Sequence, residues 1–215
     1  MPEAKVTTRM EASKEKPIGI DIEPGEVFAT LELVVKDKDG KITEHRKLRS
    51  RSFVKQFLQL LYVQGYGLNE FGRLTNIVKD ITNTDQRTVA ASAMFACNAA
   101  IGVATNGVVV GNNNTAPTIN DYKLASQIAH GTGAGQLQYS AVTFGAPSAG
   151  AAISQFRITR DFANGSGGGI DVKEVGLYVS DGTYNYMTIR DVLGAAISVP
   201  NGQTLTVNYQ IQGSI

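Results

Sequence analysis

The stretch IDVKEVGLYVSDGTYNYMTI, residues 170–189, decides the fold that the sequence predicts. In its first half, Ile170 and Val172 alternate with charged neighbours. This period of two is typical of a strand with one buried face. Asp181-Gly182 is a turn signal, and Tyr184–Ile189 reads as the next strand. The stretch therefore predicts two strands joined by a tight turn.

Strand and turn signals of the same kind recur on both sides of this stretch. Downstream of residue 136 the predicted strands are Leu137–Phe144, Ile153–Phe162 and Leu205–Ile211, with turns at Asn164–Gly169 and Asn201-Gly202. Nearer the N-terminus, the turn Asp37–Gly40 separates the predicted strands Val27–Lys36 and Ile42–Leu48. Short strands at this spacing are typical of an antiparallel sandwich.

One segment, SFVKQFLQLLYVQG at 52–65, has the period of a helix. Its apolar stripe at positions i, i+4, i+7 and i+8 consists of Phe53, Phe57, Leu60 and Leu61. Ser50 or Ser52 is the expected N-cap, and Gly65 is the expected end. We expect the stripe to be buried against a sheet.

The segment 66–101 gives the weakest signals. Val89–Ile101 is rich in alanine, and either a short helix or a buried strand fits it. We favour the strand because Asn106-Gly107 is a typical hairpin turn leading into Val108–Val110. The segment that follows, Gly111–Tyr122, is predicted to be a long polar loop.

Charge is distributed unevenly along the 215 residues, although the net charge is only +1. Residues 1–100 contain 15 Lys and Arg and 13 Asp and Glu, whereas residues 101–215 contain 5 and 6. The second part is polar through Asn, Thr, Ser and Gln. A surface with so little charge suits large protein contacts, and the near-neutral chain has no global field that would attract nucleic acid or a membrane.

The sequence divides into an arm and a domain. Residues 1–17 are charged and lack apolar periodicity, so we predict a flexible N-terminal arm followed by a single mainly β domain at 18–215. The N-terminus has no apolar core of a secretory signal, and no segment approaches the roughly 20 apolar residues of a membrane span. We expect synthesis in a cytoplasm and no membrane partner.

Residues suited to catalysis are few. The two histidines, His45 and His130, do not form a paired metal-binding motif, and both are expected to be exposed to solvent. The single cysteine, Cys97, lies among alanines and is expected to be a small core residue. The sequence therefore predicts no catalytic site, no cofactor and no metal site.

A basic cluster, comprising Arg46, Lys47, Arg49, Arg51 and Lys55, precedes and enters the predicted helix. Three interpretations stay open: a solvated surface, a contact between subunits, and a nucleic-acid contact. The last is the least favoured because no stacking aromatic residues are interleaved with the cluster.

Four segments of the chain carry a resemblance to a protein family. They are LRSRSFVKQF at 48–57, GNNNTAPTINDYKLASQI at 111–128, the stretch 170–193 with its EVGLY and RDVL parts, and VPNGQTLTVNYQI at 199–211. In this order they resemble segments of small virion structural proteins of tailed phages.

The resemblance implies a non-enzymatic role in a phage particle, as a capsid decoration, a neck or tail adaptor, or a tail or fibre subunit. The expected fold is a mainly β antiparallel sandwich or jelly-roll-like domain with one packed helix. The expected partners are copies of the chain and other virion proteins, joined through strand edges and the arm. Candidate inter-subunit residues are Arg46, Lys47, Arg49, Arg51, Asn112, Asn113 and Asn114.

Two other functions stay open. A receptor-binding or adhesive fibre module would use the loop Gly111–Tyr122 for recognition. A hydrolase is less favoured because the sequence offers no evident acid and base pair.

Overall fold

A computed structural model describes residues 25–50, 52–65, 78–86 and 95–215. Its elements in chain order are β1 (Val27–Lys36), β2 (Ile42–Ser50), α1 (Lys55–Gly65), β3 (Val78–Lys79), β4 (Asp85–Gln86), β5 (Gly107–Gly111), β6 (Gln138–Tyr139), β7 (Thr143–Phe144), β8 (Ser148–Ala149), β9 (Ile153–Ala163), β10 (Ile170–Ser180), β11 (Asn185–Val199) and β12 (Thr204–Ser214). The predicted arm at 1–17 lies outside these ranges.

The strands form two main antiparallel sheets. The first has the order β2-β1-β12-β9, and the short strands β6, β7 and β8 pair along the other side of β9. The second has the order β11-β10-β5, and β3 and β4 form a separate small hairpin. The mainly β sandwich with a packed helix is therefore confirmed.

The core lies between the inner faces of the two sheets. Alternate side chains of β1, including Leu31 and Leu33, are fully buried, as is Val207 of β12. They belong to one apolar cluster with Val175 and Leu177 of β10. Burying a side chain of this size stabilises the fold by about 1.5–3 kcal/mol, so this alternation fixes which face of each strand points inward.

The long strands largely agree with the sequence prediction. β1 has the predicted bounds, and β2, β9, β10 and β12 contain the predicted segments with one to four added residues. The second strand of the deciding stretch is longer than predicted, because β11 continues through Arg190 to Val199 along β10.

The predicted strand Leu137–Phe144 is wrong as one continuous element. Only its parts β6 and β7 pair with β9. Between them the Ser140 carbonyl accepts a hydrogen bond from Arg160, and the Val142 amide donates to the Ala99 carbonyl. These competing partners interrupt the strand.

The predicted hairpin at Asn106-Gly107 is also wrong. Gly107 has a φ of +77°, as a turn there requires, but β5 pairs with β10 instead of with the preceding segment. Of the predicted strand Val89–Ile101, residues 89–94 lie outside the described ranges. The remainder forms an isolated bridge between Ala96 and Ser180 and no regular strand.

The helix begins at Lys55, later than predicted, and ends at Gly65 as predicted. The expected caps Ser50 and Ser52 are wrong, because the chain before the helix follows the edge of β11. Phe53 bridges Ile189, and the Val54 amide donates to the Thr188 carbonyl at 3.1 Å.

The predicted buried stripe of the helix is wrong in part. Leu60 is fully buried, but Leu61 is 45% exposed, and Phe53 and Phe57 are half-buried. The inward face instead follows Gln56, Leu60 and Val63, because the helix packs against β11 and β3. Gln56 lies outside the predicted apolar stripe, and its polarity gives no sign of this burial.

Gln56 provides a test of this packing. Its side chain is fully buried, and neither its amide nitrogen nor its oxygen has a hydrogen-bond partner within the described ranges. An unpaired buried amide costs about 1–3 kcal/mol. Gln56→Met should therefore raise the melting temperature, measured by circular dichroism. Gln64→Met, at an exposed site of the same helix, is the control; equal shifts for both variants would contradict the packing.

A buried arginine connects the first sheet to the loops beside it. Arg160 of β9 is fully buried, and its guanidinium donates five hydrogen bonds of 2.6–3.2 Å to backbone carbonyls. The acceptors are the carbonyls of Ala100, Val103, Asn106, Val108 and Ser140. Burial lowers the pKa of Arg160 to about 10, and its guanidinium stacks 4.8 Å from the Tyr139 ring centre.

Candidate functional site

The polar loop that follows β5 lies on the outer face of the second sheet. From Asn112 to Asn120 its residues are exposed except for Asn113, which is half-buried. The Asn113 side chain accepts a hydrogen bond from the Thr115 amide at 2.7 Å. The loop therefore offers a polar surface whose local conformation is set by its own side chains.

Glu174 of β10 holds the far end of this loop. It is fully buried and accepts hydrogen bonds from the backbone amides of Ala125 at 3.1 Å and Ser126 at 2.7 Å. The approach of the loop requires glycine at position 111. A Cβ there would lie 2.5 Å from the Ser126 carbonyl oxygen and 2.6 Å from a Glu174 carboxylate oxygen.

Arg190 of β11 connects Glu174 to the middle of the loop. Its guanidinium, 2% exposed, donates to Glu174 at 2.9 Å, to Asp121 at 2.6 Å and to the Thr115 carbonyl at 3.0 Å. Burial alone would lower the pKa of Arg190, but its hydrogen bonds with the two carboxylates leave that pKa raised. The arginine is therefore charged and paired with two carboxylates.

Asp121 is also held from within the loop. Its carboxylate accepts hydrogen bonds from the Thr118 amide and the Thr118 hydroxyl, both at 2.8 Å. Burial alone would raise the pKa of Asp121, but these hydrogen bonds and the Arg190 guanidinium lower it below its usual value. The carboxylate is thus stabilised in its ionised form.

Tyr178 and Gly176 complete the contact between the loop and β10. The buried Tyr178 hydroxyl accepts a hydrogen bond from the Leu124 amide at 2.7 Å. A Cβ at Gly176 would lie 2.9 Å from the Leu124 side chain, so the loop packs directly on the backbone of β10. Burial raises the pKa of Tyr178 above its usual range, which keeps the hydroxyl neutral.

The segment before the helix contacts the same region. The Arg190 amide donates to the Ser52 carbonyl at 3.0 Å, and the Lys55 amide donates to the Ile119 carbonyl at 3.0 Å. The Lys55 ammonium also lies 3.1 Å from the Asn120 side-chain oxygen. The helix start and the loop are thus joined to each other and to β11.

Asp191 links this region across the sandwich to the first sheet. Its buried carboxylate accepts a hydrogen bond from the Tyr209 hydroxyl at 2.9 Å. Burial, followed by the Asp191 charge and hydrogen bond, raises the pKa of Tyr209 well above its usual range. Residues from the four segments 48–57, 111–128, 170–193 and 199–211 therefore meet in one continuous set of contacts.

The basic cluster on β2 is partly engaged within the chain. Arg46 donates to the carbonyls of Ala195 and Ala196, each at 2.6 Å, and also pairs with Glu44. These bonds connect the edge of the first sheet to β11. Both acceptor carbonyls belong to this chain, so Arg46 makes an intrachain contact that the sequence did not predict.

The other members of the cluster have different surroundings. Arg49 pairs with Glu26 and lies 4.8 Å from the centre of the Phe28 ring. Lys47 is exposed, and Arg51 lies outside the described residues. Arg46, Lys47 and Arg49 lie on β2 of the first sheet, whereas Asn112, Asn113 and Asn114 follow β5 of the second. The described contact residues predicted from the sequence therefore form two groups. Their role between subunits stays a prediction.

The histidines are exposed and the cysteine is buried, as expected. The His45 Nε2 lies 3.0 Å from a Glu32 oxygen, and His130 accepts a hydrogen bond from the Tyr139 amide at 3.0 Å. Burial raises the pKa of the Cys97 thiol to about 11. Within the described ranges, no group of three or more His, Cys, Asp or Glu side chains is placed to hold a metal ion.

None of the helices in the described part of the chain has the length and apolar character that crossing a bilayer requires. Comparisons of the chain with protein-family models, with curated proteins and with solved structures found no match.

The residues missed from the sequence were Glu174, Arg190, Asp121 and Arg160. Glu174, Arg190 and Arg160 lie within strands that also carry other charged residues, so a charge at a strand position is the only signal the sequence offers for them. A charge at such a position is either on the exposed face or buried with partners, and alternation alone does not identify the partners.

Proposed function

We propose that the protein is a non-enzymatic structural component of a tailed-phage particle, which assembles with copies of itself or docks onto other virion proteins. The observation that carries the proposal is the contact set that unites the four resembling segments. Its charged groups, Glu174, Arg190 and Asp121, are used to hold a surface loop on a sheet. This structural use of charged groups fits a protein that functions through its surface contacts.

We favour the edge strand of the first sheet, β2, as the interface for assembly. Within the described ranges β2 pairs with β1 alone, so its other side offers backbone amides and carbonyls to a neighbouring chain. Lys47 is exposed there. Such an edge fits a second copy of the chain or a strand of another particle protein.

Localisation tests the proposal directly. Antibody-labelled electron microscopy and mass spectrometry of purified particles should detect the protein at a fixed copy number, and electron microscopy of the purified chain should show a defined oligomer. A protein present in infected cells but missing from purified particles would contradict the proposal.

The arm gives a second test of assembly. Deleting residues 2–17 should leave the melting temperature of the monomer nearly unchanged, because this charged segment offers little apolar surface to offset its ordering entropy of about 1–2 kcal/mol per residue. The same deletion should weaken assembly, measured by light scattering after size-exclusion chromatography. If the shortened chain assembles as well as the full chain at equal concentration and salt, the arm is not a tether.

A receptor-binding fibre module is the second candidate. The observation that favours it is the largely exposed loop from Asn112 to Asn120, which is held by hydrogen bonds to the buried side chains of Glu174 and Arg190, an arrangement that suits recognition. Saturable binding to host cells or glycans that is lost in Asn112→Ala/Asn114→Ala, with an unchanged oligomeric state, would favour this candidate over the structural one.

A further inference from the structure

An apolar groove opens at one end of the sandwich. It encloses about 150 Å³ between the inner faces of the two sheets, and Ile211 lines it from the first sheet and Val179 from the second. Phe53, Phe57 and Cys97 also contribute to its walls. The groove is open, because Phe156 in its wall is 38% exposed.

The size and lining of the groove suit an apolar side chain. A space of about 150 Å³ lined by Leu, Ile and Phe stays dry and accepts a group of about the size of benzene. Aromatic rings left open to water at such a site are typical of a surface that another apolar segment covers. The groove therefore favours one or two aliphatic side chains over a polar ligand.

The chain enters the fold at the same end. Ala29 of β1 is paired with Ile211, which lines the groove, and just before β1 the Gly25 amide donates to the Ser214 carbonyl at 3.0 Å. Gly25 has a φ of +81°, in the left-handed region. The chain therefore bends sharply as it enters β1 instead of extending straight from the sheet.

The sequence immediately before Gly25 has the right pattern for the groove. Ile18, Ile20 and Ile22 alternate with Gly19, Asp21 and Glu23. In an extended conformation, alternate residues share one face, so the three isoleucines would present a continuous apolar edge.

The segment 18–24 is also long enough to reach the groove. Seven extended residues, 18–24, span at most roughly 23 Å. Ile211 lies three residues before Ser214, about 10 Å along the strand. Only Glu23 and Pro24 separate Ile22 from Gly25. A short connection of this kind gives an effective concentration on the order of millimolar, which favours the same chain over a second copy.

We propose that the groove binds residues 18–22 of the same chain, with isoleucine side chains inserted between the two sheets. The bound isoleucines would cover the exposed rings of Phe144 and Phe156, which line the groove. This inference is independent of the proposed function, because it concerns a contact within one chain.

The single cysteine allows a direct test in the full-length protein. Cys97 lines the groove, and a disulfide forms only when the two Cβ atoms lie within about 3.5–4.5 Å. We would introduce Ile18→Cys, Ile20→Cys and Ile22→Cys separately, with Asp21→Cys and Glu23→Cys as controls on the opposite face. Oxidation at alkaline pH is preferable, because burial raises the pKa of the Cys97 thiol to about 11.

The expected result is an intrachain disulfide in at least one isoleucine variant and in neither control, seen by non-reducing electrophoresis and peptide mass spectrometry. A disulfide-linked dimer would show that a second copy fills the groove and would overturn the proposal. Equal oxidation in the isoleucine and control variants would overturn it as well.

A second measurement covers the case in which no disulfide forms. Ile18→Ser/Ile20→Ser/Ile22→Ser should increase the rate at which a thiol reagent modifies Cys97 several-fold, because the groove would be open. Val6→Ser/Met10→Ser, which changes apolar residues of the arm alone, is the matched control and should leave the rate unchanged. If the triple variant reacts at the rate of the unmodified protein, residues 18–22 do not cover the groove.

Discussion

Arg160→Met should destabilise the domain by at least about 4 kcal/mol. The substitution keeps an unbranched side chain but removes all five donors from carbonyls that lie at 2.6–3.2 Å. Each buried polar group left unpaired costs about 1–3 kcal/mol. For a domain of this size, 4 kcal/mol lowers the melting temperature by about 8–16 °C, which calorimetry resolves readily.

Lysine should not rescue this position. Arg160→Lys keeps the positive charge, but one ammonium cannot reach five carbonyls arranged around a planar guanidinium. Arg157→Met is the matched control, because Arg157 is exposed on the same strand and, among the residues that the structure describes, its guanidinium makes one hydrogen bond, of 3.4 Å, to Gln210. It should change the stability by less than about 0.5 kcal/mol. A small loss in Arg160→Met, equal to that of the control, would contradict the structural role of Arg160.

Arg190→Met should cost about 3–5 kcal/mol and release the loop. The reason is that the carboxylate of Glu174, which is 0% exposed, would lose the guanidinium that pairs with it at 2.9 Å, and removing one partner of a buried ion pair is strongly destabilising. Hydrogen exchange at the amides of Ala125 and Ser126 should accelerate beyond the change in global stability, because both amides donate to the Glu174 carboxylate that Arg190 pairs with.

A double variant separates the unpaired charge from the lost packing. Arg190→Met/Glu174→Gln removes both charges and leaves an amide oxygen to accept from the loop, so part of the stability should return. Lys123→Met, at an exposed site of the same loop, is the control and should be nearly neutral. A double variant that is less stable than Arg190→Met would show that Glu174 is not destabilised by losing its partner.

The strands could be predicted because their signal is local. The inward residues of β1 and β12 alternate without interruption, and alternation requires no knowledge of the partner strand. On β10 the same rule works only in part. A bulge between Val172 and Glu174 changes which alternate residues face the core, and it places Glu174 under the loop.

The candidate site could not be predicted in the same way, because its side chains bond to partners that are distant in sequence. Arg190 and Asp121 are 69 positions apart, and Arg46 reaches a carbonyl 149 positions away. No local pattern encodes such pairs, so the sequence indicated the loop and the basic cluster without the contacts that hold them. Gln56 shows the opposite failure, because it lies outside the predicted apolar stripe and helix packing buries it.

The pairing of β1 with β12 also sets the order in which the chain can fold during synthesis. Their ladder pairs Val27 of β1 with Gly213 of β12. A nascent chain can form the local hairpin of β1 and β2 early, but the other side of β1 has no partner until Thr204–Ser214 leaves the ribosome. At about 5–20 residues per second this interval lasts roughly ten seconds or more. During that interval β1 presents an open, largely apolar edge, and the charged residues of β2 lie beside it in the early hairpin, where they oppose aggregation.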